Sequence, residues 1–449
     1  MSLILNSFFK IFLGVLLVGV LFSSCYSKKD IANSNTLLIK NALIIPMDAK
    51  QDTCFSGYLV VNNKGNIQEI KSGLPSKNIT AQKVIDAKGL WIIPGFISAH
   101  SHLWQSGFTG IAPNENLEGW VDKLYGVEAP KFSPEGMYSL AYRGAKDHLK
   151  NGITTVYNFT YTGSDTTLAV DKMQLQAAID ANIRVIHGFN VLKISDHWTP
   201  EQAERRISKF LNWTKEIKDP NSCYLSTMIA GYAVYEDSSF PQAVVESKLM
   251  KKFNLYNQQH YLESLKLVEG EQKRFKWLLD TGMINSKMIF GHFIHPSPYI
   301  LDMAAANKVS MVWNPLSNGR LGSGIPDILL YKSKNIKIGM GVDGAASADR
   351  SDPFENMRTG LYYIRAMKQK ASVMKTYEVL RMHTMGSAEV LNIQEYVGSL
   401  TQGKKADFLL IDPSSFSPYK KPYDALVFAA GPNNIKKVYV GGVEIPKEK

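Results

Sequence analysis

The sequence predicts an α/β protein, in which a (β/α)8 TIM-like barrel is joined to a small β-sandwich domain built from both chain ends. Two observations lead to this fold class. Eight apolar runs rich in β-branched residues alternate with helix-length segments in the middle of the chain, and β-rich runs separated by turns occupy both ends. The 449 residues, 45% hydrophobic and 20% charged, are of ordinary globular composition. Length and composition therefore exclude collagen, coiled-coil and disordered chains.

The first 24 residues differ from the rest of the chain. Lys10 is their only charged side chain, and it precedes an apolar run at 11–22. Two serines separate this run from Cys25. The run is too short to span a bilayer comfortably, and small residues before a cysteine favour cleavage. The segment resembles a bacterial lipoprotein signal, although Phe22 stands where such signals usually carry leucine. An uncleaved N-terminal anchor is the alternative interpretation.

Cleavage would leave Cys25 as the lipid attachment site, followed by a polar tether at 25–35. The expected location is then the bacterial cell envelope, on the extracytoplasmic side of a membrane to which the lipid anchors the protein. The net charge of +11 is scattered among both signs, which indicates solubility and not nucleic-acid binding. The sequence leaves open whether the chain forms a homo-oligomer, and whether Cys54 and Cys223 pair.

The composite β-sandwich domain is predicted at 36–92 and 398–449. Short β-rich runs bounded by turn residues are typical of strands in such a domain. The predicted strands are 37–45, 57–61 and 67–70 near the start of the chain, and 406–411, 425–428 and 437–440 near its end.

The barrel is predicted at 93–397. Apolar strands that alternate with helices are typical of a parallel sheet, and eight such units match a (β/α)8 barrel. Capping residues followed by proline, Ser133 with Pro134 and Thr199 with Pro200, predict two of the helix starts. The predicted strands are 93–99, 153–159, 183–189, 224–231, 254–259, 287–291, 309–313 and 336–342.

Histidines and a carboxylate follow several of these strands. His100 and His102 end the first strand, and the two-residue period points both rings to the same side. His260, His292 and Asp343 end the fifth, sixth and eighth strands. Because functional groups of such barrels lie at the carboxyl ends of the strands, these side chains are expected to meet at one mouth. Nitrogen and oxygen ligands without cysteine suit a divalent metal, Zn(II) or Fe(II).

The other histidines receive different interpretations. His148 is expected at the surface or as a capping residue, because it lies in a helical run between lysines. The remaining isolated histidines, at 187, 197 and 383, are expected to be structural. His295, one helical turn after His292, is either a helix-start residue or a donor that supports the site.

At this point the sequence resembles the amidohydrolase superfamily, in its branch of cytosine deaminase and chlorohydrolase-like enzymes. The resemblance covers the chain from about Thr36 to the C-terminus. It rests on motifs at 93–102 (IPGFISAHSH), 260–263 (HYLE), 291–292 (GH), 314–324 (NPLSNGRLGSG), 341–347 (GVDGAAS) and 398–407 (GSLTQGKKAD).

The resemblance implies one divalent metal held by His100, His102, His260 and Asp343, with His292 in contact with the attacking water or the substrate. A metal of this kind makes water a nucleophile near neutral pH, able to attack an electron-poor ring carbon. Asp343 would take the proton of that water. Glu263 would protonate a ring nitrogen and then the leaving amine, so that two carboxylates divide the acid and base work. The alternative for Glu263 is a solvent-facing carboxylate at a helix start.

Three departures from the family pattern narrow the interpretation. The fourth strand lacks the lysine that binuclear members carboxylate, which favours one metal, with Lys193 as the only nearby substitute. Trp313 stands where many relatives carry a histidine. No Pro-His pair follows the fourth strand, so the substrate is expected to differ from that of adenosine-type relatives.

Further residues are expected to contact the substrate. Gln105 is similar to a glutamine that reads the ring edge in guanine deaminases, and its amide both donates and accepts. Glu128 matches a position that relatives use for polar substrate groups. Trp104 either stacks on a planar ring or belongs to the core. Arg320 either meets an anion or forms a loop salt bridge, which is the favoured interpretation.

The sequence therefore predicts a metal-dependent hydrolytic deaminase acting on a nitrogen-heterocyclic small molecule such as a purine, pyrimidine, pterin or triazine. Alternatives in the same class are removal of chloride or an alkylamine and opening of a cyclic amide. A non-catalytic binding lipoprotein is disfavoured because all six groups of the site are present. A dipeptidase is disfavoured because the fourth strand has no lysine.

Overall fold

The computed structural model describes residues 35–48, 53–416 and 421–446. The predicted signal, Cys25 and all of the tether except Asn35 lie outside these residues and stay predictions. Within the described part of the chain, no helix is both long enough and apolar enough to cross a membrane.

A mixed sheet joins the two ends of the chain. Its N-terminal strands run in the order β5-β1-β2-β3, with β4 paired to β1, and its C-terminal strands continue from β5 in the order β14-β15-β16. Strand β14 pairs antiparallel with β5 through Leu409 and Ile93, which joins the two chain ends. The N-terminal strands are β1 (Asn35–Ile44), β2 (Phe55–Asn62), β3 (Ile67–Ser72), β4 (Lys83–Asp86) and β5 (Trp91–Pro94).

The second sheet is the barrel, with eight parallel strands in sequential order. Its closing contact is a parallel bridge between Ser101 and Asp343, so the fold class predicted from the sequence is confirmed. The strands are β6 (Phe96–Ser101), β7 (Ile153–Phe159), β8 (Arg184–Asn190), β9 (Tyr224–Ala230), β10 (Asn257–Tyr261), β11 (Met288–His292), β12 (Ser310–Trp313) and β13 (Ile338–Met340). The chain then returns to the mixed sheet as β14 (Phe408–Ile411), β15 (Ile435–Val440) and β16 (Val443–Ile445).

The helices of the described residues surround the barrel. Ser133 accepts a hydrogen bond from Gly136 N, and Thr199 forms a capping box with Gln202, as the two helix-start motifs predicted. The helices are α1 (Leu117–Val121), α2 (Pro134–Lys150), α3 (Ala169–Asp180), α4 (Pro200–Trp213), α5 (Phe240–Phe253), α6 (Val268–Asp280), α7 (Pro298–Ala306), α8 (Pro315–Arg320), α9 (Ile328–Ser333), α10 (Pro353–Met367), α11 (Thr376–Arg381), α12 (Ser387–Val390) and α13 (Pro422–Phe428). A π-helical turn, Asp122–Glu128, follows α1 directly.

Two strand predictions need correction. The run 425–428 is not a strand but the end of helix α13, which starts with Pro422 at its first position. Its buried residues, Ala425, Leu426 and Val427, form an apolar run too short for its period to distinguish a helix from a strand.

The run 93–99 belongs to two strands and not to one. Ile93 lies in β5 of the mixed sheet, and the barrel strand β6 begins at Phe96. Gly95 separates them, and a Cβ at this position would lie 2.1 Å from Thr154 Oγ1. The chain can therefore change sheets here only with glycine.

Candidate active site

The first barrel strand presents its two histidines to the barrel interior. His100 and His102 are 0% and 3% exposed, and their ring centroids are 4.9 Å apart. Ser101 points to the opposite side, where its Oγ lies 3.1 Å from His148 Nε2. The expectation that His148 lies at the surface is therefore wrong. It is 2% exposed, and it packs from the last turn of helix α2 against strand β6.

Four side chains from two strand ends and the β13 loop converge on one point. His102 Nε2 lies 3.2 Å from His260 Nε2. Asp343 Oδ1 lies 3.2 Å from His102 Nε2 and 3.4 Å from His100 Nε2. The structure thus brings together the four residues for which the sequence predicted metal ligation, and His292 lies beside them, with its ring 5.3 Å from that of His100.

Each of the three rings is held through its other nitrogen. His102 Nδ1 donates to the carbonyl of Phe159 at 2.9 Å. His100 Nδ1 contacts Gln258 Oε1, and Tyr235 Oη lies 2.9 Å from His260 Nδ1. A carbonyl oxygen can only accept, so His102 carries its proton on Nδ1 and leaves Nε2 with a lone pair. This tautomer is the one a metal-binding imidazole needs.

The donor set fits a divalent cation. Nitrogen lone pairs that face each other at 3.2 Å repel unless a positive charge lies between them, and His100 Nε2 has no hydrogen-bond partner among the described residues. Metal-to-nitrogen bonds of about 2.0–2.1 Å in a tetrahedral zinc site place the ligand atoms about 3.4 Å apart. The observed separations of 3.2–3.4 Å have this value. Burial also lowers the pKa of His102 and His260, which keeps both rings neutral.

The chain turns sharply where these groups are presented. His292 and Asp343 both have positive φ, 66° and 57°, and so does Leu262 at 54°, next to Glu263. Such angles are strained for residues other than glycine and cost about 1–3 kcal/mol each. The strain is held by local hydrogen bonds, such as the one that Glu271 Oε2 accepts from Leu262 N at 2.5 Å.

Glu263 lies inside the site and not at a solvent-facing helix start. It is 4% exposed, and its Oε1 lies 3.3 Å from His292 Nδ1 and 3.2 Å from Ser323 Oγ. Burial, together with the charge of Asp343, raises the pKa of Glu263 well above its usual value. The shift favours the protonated carboxyl group, which is the form that can act as a proton donor.

Asp343 has the opposite protonation. Burial opposes its charge, but the nearby rings of His100 and His102 outweigh that effect and hold the pKa of Asp343 well below its usual value. Its Oδ2 accepts a hydrogen bond from Ser347 Oγ at 2.9 Å. The two carboxyl groups thus differ in the way that a division of acid and base work requires.

His292 is neutral and oriented by an amide. Burial lowers its pKa to about 3. Asn318 Nδ2 lies 2.8 Å from His292 Nδ1, and an amide nitrogen only donates, so the ring proton is on Nε2.

The three residues predicted to contact substrate lie in different surroundings. Trp104 is buried and stacks on Tyr161 at 5.2 Å. Gln105 is buried, and a Cβ on Gly344, the residue after Asp343, would lie 1.8 Å from its Oε1. Glu128 pairs with Lys131 at 2.9 Å. Within the described part of the chain, it makes no ion pair with the candidate metal-binding residues.

The other candidates are also placed. Lys193 is exposed and pairs with Asp237 at 2.8 Å, which argues against a role as a bridge between metals. Arg320 pairs with Asp349, as the loop salt-bridge interpretation predicted. His295 Nε2 donates to the carbonyl of Ser323 at 2.7 Å and so supports the serine that contacts Glu263. Cys223 is a free cysteine, so it does not pair with Cys54.

Sequence reasoning missed several supporting residues. Gln258 could have been found, because it lies two residues before His260 on the same strand face. Asn314 and Asn318 lie four apart, a helical spacing that places both beside His292. Tyr235 and Tyr125 had no signal in the sequence, since each reaches the site from a loop or short turn whose path depends on the tertiary fold.

Comparison with known proteins identifies the family. A profile of the amidohydrolase family matches residues 91–445, and the chain belongs to that family. A 5-methylthioadenosine/S-adenosylhomocysteine deaminase of Bacillus cereus is 27% identical over 416 residues, which are 90% of this chain and 92% of that protein.

Solved structures have the same fold. An adenosine deaminase from Xanthomonas campestris with bound zinc superposes with a TM-score of 0.81 at 21% identity, covering 91% of this chain and 92% of that one. Atrazine chlorohydrolase from Arthrobacter aurescens, complexed with zinc, gives a TM-score of 0.79 at 19% identity, over 91% and 95% of the two chains.

Proposed function

We propose that this amidohydrolase is a metal-dependent hydrolytic deaminase of a nitrogen heterocycle such as a purine, pyrimidine, pterin or triazine. The observation that carries the proposal is a cluster of four candidate metal ligands with a second buried carboxyl group, Glu263, beside His292, and with the pKa values of Asp343 and Glu263 shifted in opposite directions. The named deaminase relative supports the same reaction class.

The residues divide the work as follows. A divalent metal held by His100, His102, His260 and Asp343 supplies a nucleophile by lowering the pKa of water. Asp343 accepts the proton of the attacking water. Glu263 donates its proton to a ring nitrogen, takes up the proton of the hydroxyl group now bound to the ring carbon and passes it to the leaving amine. The carbon–nitrogen bond breaks as the carbonyl forms, the amine departs as ammonia, and the proton on Asp343 restores Glu263.

His292 and Asn318 position the reacting groups. Because Asn318 fixes the ring through Nδ1, the Nε2–H of His292 is left to donate to the oxygen that arrives at the ring carbon. His292 Nδ1 also contacts Glu263. This contact holds the proposed acid, Glu263, at a fixed distance from the Nε2–H donor of His292.

The proposed cofactor is one zinc ion per chain. Support comes from the ligand separations, from the zinc named in two solved relatives, and from the exposed position of Lys193. Elemental analysis of purified protein should give about one metal per chain, and chelation should abolish turnover. Two metals per chain, with activity proportional to the second, would contradict the mononuclear assignment.

The activity is tested by an ammonia-release screen over adenosine, guanine, cytosine, a pterin and melamine. Glu263→Gln should keep the metal and lose about 10²- to 10⁴-fold in kcat, since the amide preserves shape without supplying a proton. Chloride or alkylamine release from a triazine, without ammonia from any ring amine, would favour the alternative leaving groups. No turnover of any kind would leave the binding lipoprotein as the function.

We also propose that the enzyme works at the bacterial cell envelope, anchored by lipid on Cys25. The support is the sequence pattern of residues 1–25, with its apolar run and the two serines before the cysteine. Intact protein should require detergent for release from membranes, and Cys25→Ser should leave residues 1–24 uncleaved. Mass spectrometry that finds unmodified Cys25 behind an intact Met1 in soluble protein would overturn this location.

A further inference from the structure

The segment 117–131 lies over the mouth of the barrel. It consists of α1, the π-helical turn Asp122–Glu128 and a short 3-10 turn. Val121 and Val127, on its outer side, are 38% and 54% exposed. Trp120 and Leu124, on its inner side, are buried. The segment thus has one face toward solvent and one toward the site.

The loops at the mouth cover most of the metal-binding residues, and His260 is the one of the four that is partly exposed. His100, Asp343 and Glu263 are between 0% and 5% exposed. Segment 117–131 is tied to the site loops by few bonds: Trp120 Nε1 donates to the carbonyl of Ala346 at 2.8 Å, and Glu118 accepts from Ser264. Its short helices have no side-chain caps, and Trp120 and Leu124 hold it in place through a buried apolar cluster.

Tyr125 is the residue of this segment that reaches the site. Its ring packs against Trp104 at 5.4 Å and Tyr161 at 5.1 Å, and its hydroxyl accepts a hydrogen bond from Gln105 Nε2 at 3.3 Å. Burial, followed by the charge of Asp343, raises the pKa of Tyr125 well above its usual value. The hydroxyl therefore stays protonated and is a hydrogen-bond donor.

The pair formed by Gln105 and Tyr125 has unused hydrogen-bonding capacity. Gln105 Oε1 is buried without a partner among the described residues. The Tyr125 hydroxyl accepts from Gln105 but has no recorded acceptor for its own proton. Buried polar groups without partners cost free energy. A ligand that offers one donor and one acceptor would satisfy both groups, and would therefore bind more tightly than a ligand that leaves them unpaired.

We propose that Tyr125 is a specificity-determining residue of the proposed deaminase, which reads the polar edge of the substrate ring together with Gln105 when segment 117–131 closes. The phenolic hydroxyl donates to a ring nitrogen or carbonyl oxygen, and Gln105 Oε1 accepts from a ring or exocyclic N–H. Irregular π-helical turns of this kind are frequently found at functional sites. The inference rests on the proposed function and adds the residue that selects among heterocycles.

The test compares Tyr125→Phe with Tyr161→Phe. Both variants keep the aromatic packing around Trp104, but Tyr161 has no recorded hydrogen bond through its hydroxyl to the site. Values of kcat/KM are measured for adenosine, guanine, cytosine and melamine, with metal content and Tm as checks on folding. Tyr125→Phe should change the ratios of kcat/KM among these heterocycles by about 10-fold, as expected for one lost hydrogen bond. Tyr161→Phe should leave them within about twofold.

A purely structural role for Tyr125 would lower kcat/KM equally for all substrates or lower Tm. Unchanged ratios in Tyr125→Phe therefore overturn the proposal, even if the enzyme is a deaminase. If no heterocycle is deaminated, the proposed function fails, and binding of the same four compounds is then compared by calorimetry between the two variants.

Hydrogen exchange gives a test that leaves Tyr125 and the rest of segment 117–131 unchanged. Backbone amides of 117–131 should exchange faster than those of α2 and should become at least several-fold more protected when the heterocycle with the best turnover, or the tightest binding in calorimetry, is added to Glu263→Gln protein. Equal exchange with and without that heterocycle would show that the segment does not close over the ligand.

Discussion

At the scale of single residues, each candidate metal-binding ring is oriented by one neighbour that contacts its Nδ1. The neighbours differ in chemistry: a backbone carbonyl for His102, an amide oxygen for His100 and a phenol for His260. The carbonyl cannot be altered by mutation and Gln258 is itself held by the carbonyl of Ala99. Tyr235 is therefore the neighbour whose contribution can be isolated most simply.

We expect Tyr235→Phe to weaken metal binding by about 10- to 100-fold, because His260 loses the partner that orients it. The measurement is competition with a chromophoric chelator. Tyr232→Phe is the matched control, since its hydroxyl contacts Asp237 near the surface and not a metal ligand. Equal affinity in both variants would show that Phe159 and the barrel walls suffice to orient His260.

At the scale of elements, the site depends on how closely strand β13 approaches strand β6. Gly341 lies at the end of β13, where a Cβ would stand 2.4 Å from Asn314 Oδ1 and 2.6 Å from the carbonyl oxygen of His100. The carbonyl oxygen of His100 is a backbone atom, so it cannot move aside as a flexible side chain could. The bridge between Ser101 and Asp343, and with it the position of the Asp343 carboxylate, requires glycine here.

Gly341→Ala should therefore destabilise the protein by about 1–3 kcal/mol and reduce metal content, since overpacking forces the seam of the barrel apart. Chemical denaturation and elemental analysis measure the two effects. Gly431→Ala is the control, because a Cβ there meets no atom within 4 Å. A Gly341→Ala protein with normal stability and full metal would mean that the seam is more adaptable than these distances indicate.

Helix α6 supports the loop that carries the proposed acid. Glu271, in its first turn, accepts the hydrogen bond from Leu262 N, and burial raises the pKa of Glu271 to about 8. Its usual value is 4.5, so the folded state favours the protonated form. The stability that Glu271 contributes is complete below the unfolded pKa and is lost as the pH rises toward about 8.

Glu271→Gln removes this titration while keeping an oxygen acceptor for Leu262 N. The Tm of the variant relative to wild type should therefore rise by a few degrees between about pH 5 and pH 8. Thermal unfolding at a series of pH values gives the comparison. Glu269→Gln, on the same helical turn but exposed and paired with Lys273, should show no such rise. A flat difference for Glu271→Gln would mean that the carboxylate is charged in the folded protein.

At the scale of the whole molecule, a buried ion pair joins the barrel to the mixed sheet. Arg184 of β8 donates through Nε and Nη2 to both oxygens of Asp407, at 2.5 and 2.9 Å. Asp407 also accepts from Gly441 N at 2.7 Å, and Arg184 Nη1 donates to the carbonyl of Ser222. Both side chains are almost fully buried, so neither charge can be solvated if its partner is removed.

Asp407→Asn should cost about 3–5 kcal/mol of unfolding free energy, because the guanidinium of Arg184 remains buried without a counter-charge. Denaturant unfolding measures the loss. Glu269→Ala, which breaks an exposed pair, should cost less than about 1 kcal/mol. If Asp407→Asn costs no more than that control, water enters the junction and solvates Arg184.

The sequence by itself predicted the architecture, and its motifs named the residues that the structure brings together as candidate metal ligands. Apolar β-branched runs that alternate with helices indicate a parallel sheet, and eight such units match a barrel. The strand period of two placed His100 and His102 on one face. Errors arose where a run was short, as at 425–428, or where one apolar run served two sheets on either side of Gly95. His148 was misplaced because flanking lysines do not reveal which helical face is buried.

Only the tertiary structure decided which groups support and cover the site. Tyr125, Tyr235 and Asn318 come from elements far apart in sequence, and no local pattern records that their side chains meet His260, His292 or Gln105. The opposite protonation of Glu263 and Asp343 is likewise a product of the fold. Local sequence specifies the period and the chain direction, whereas burial and charge proximity arise only when distant segments pack together.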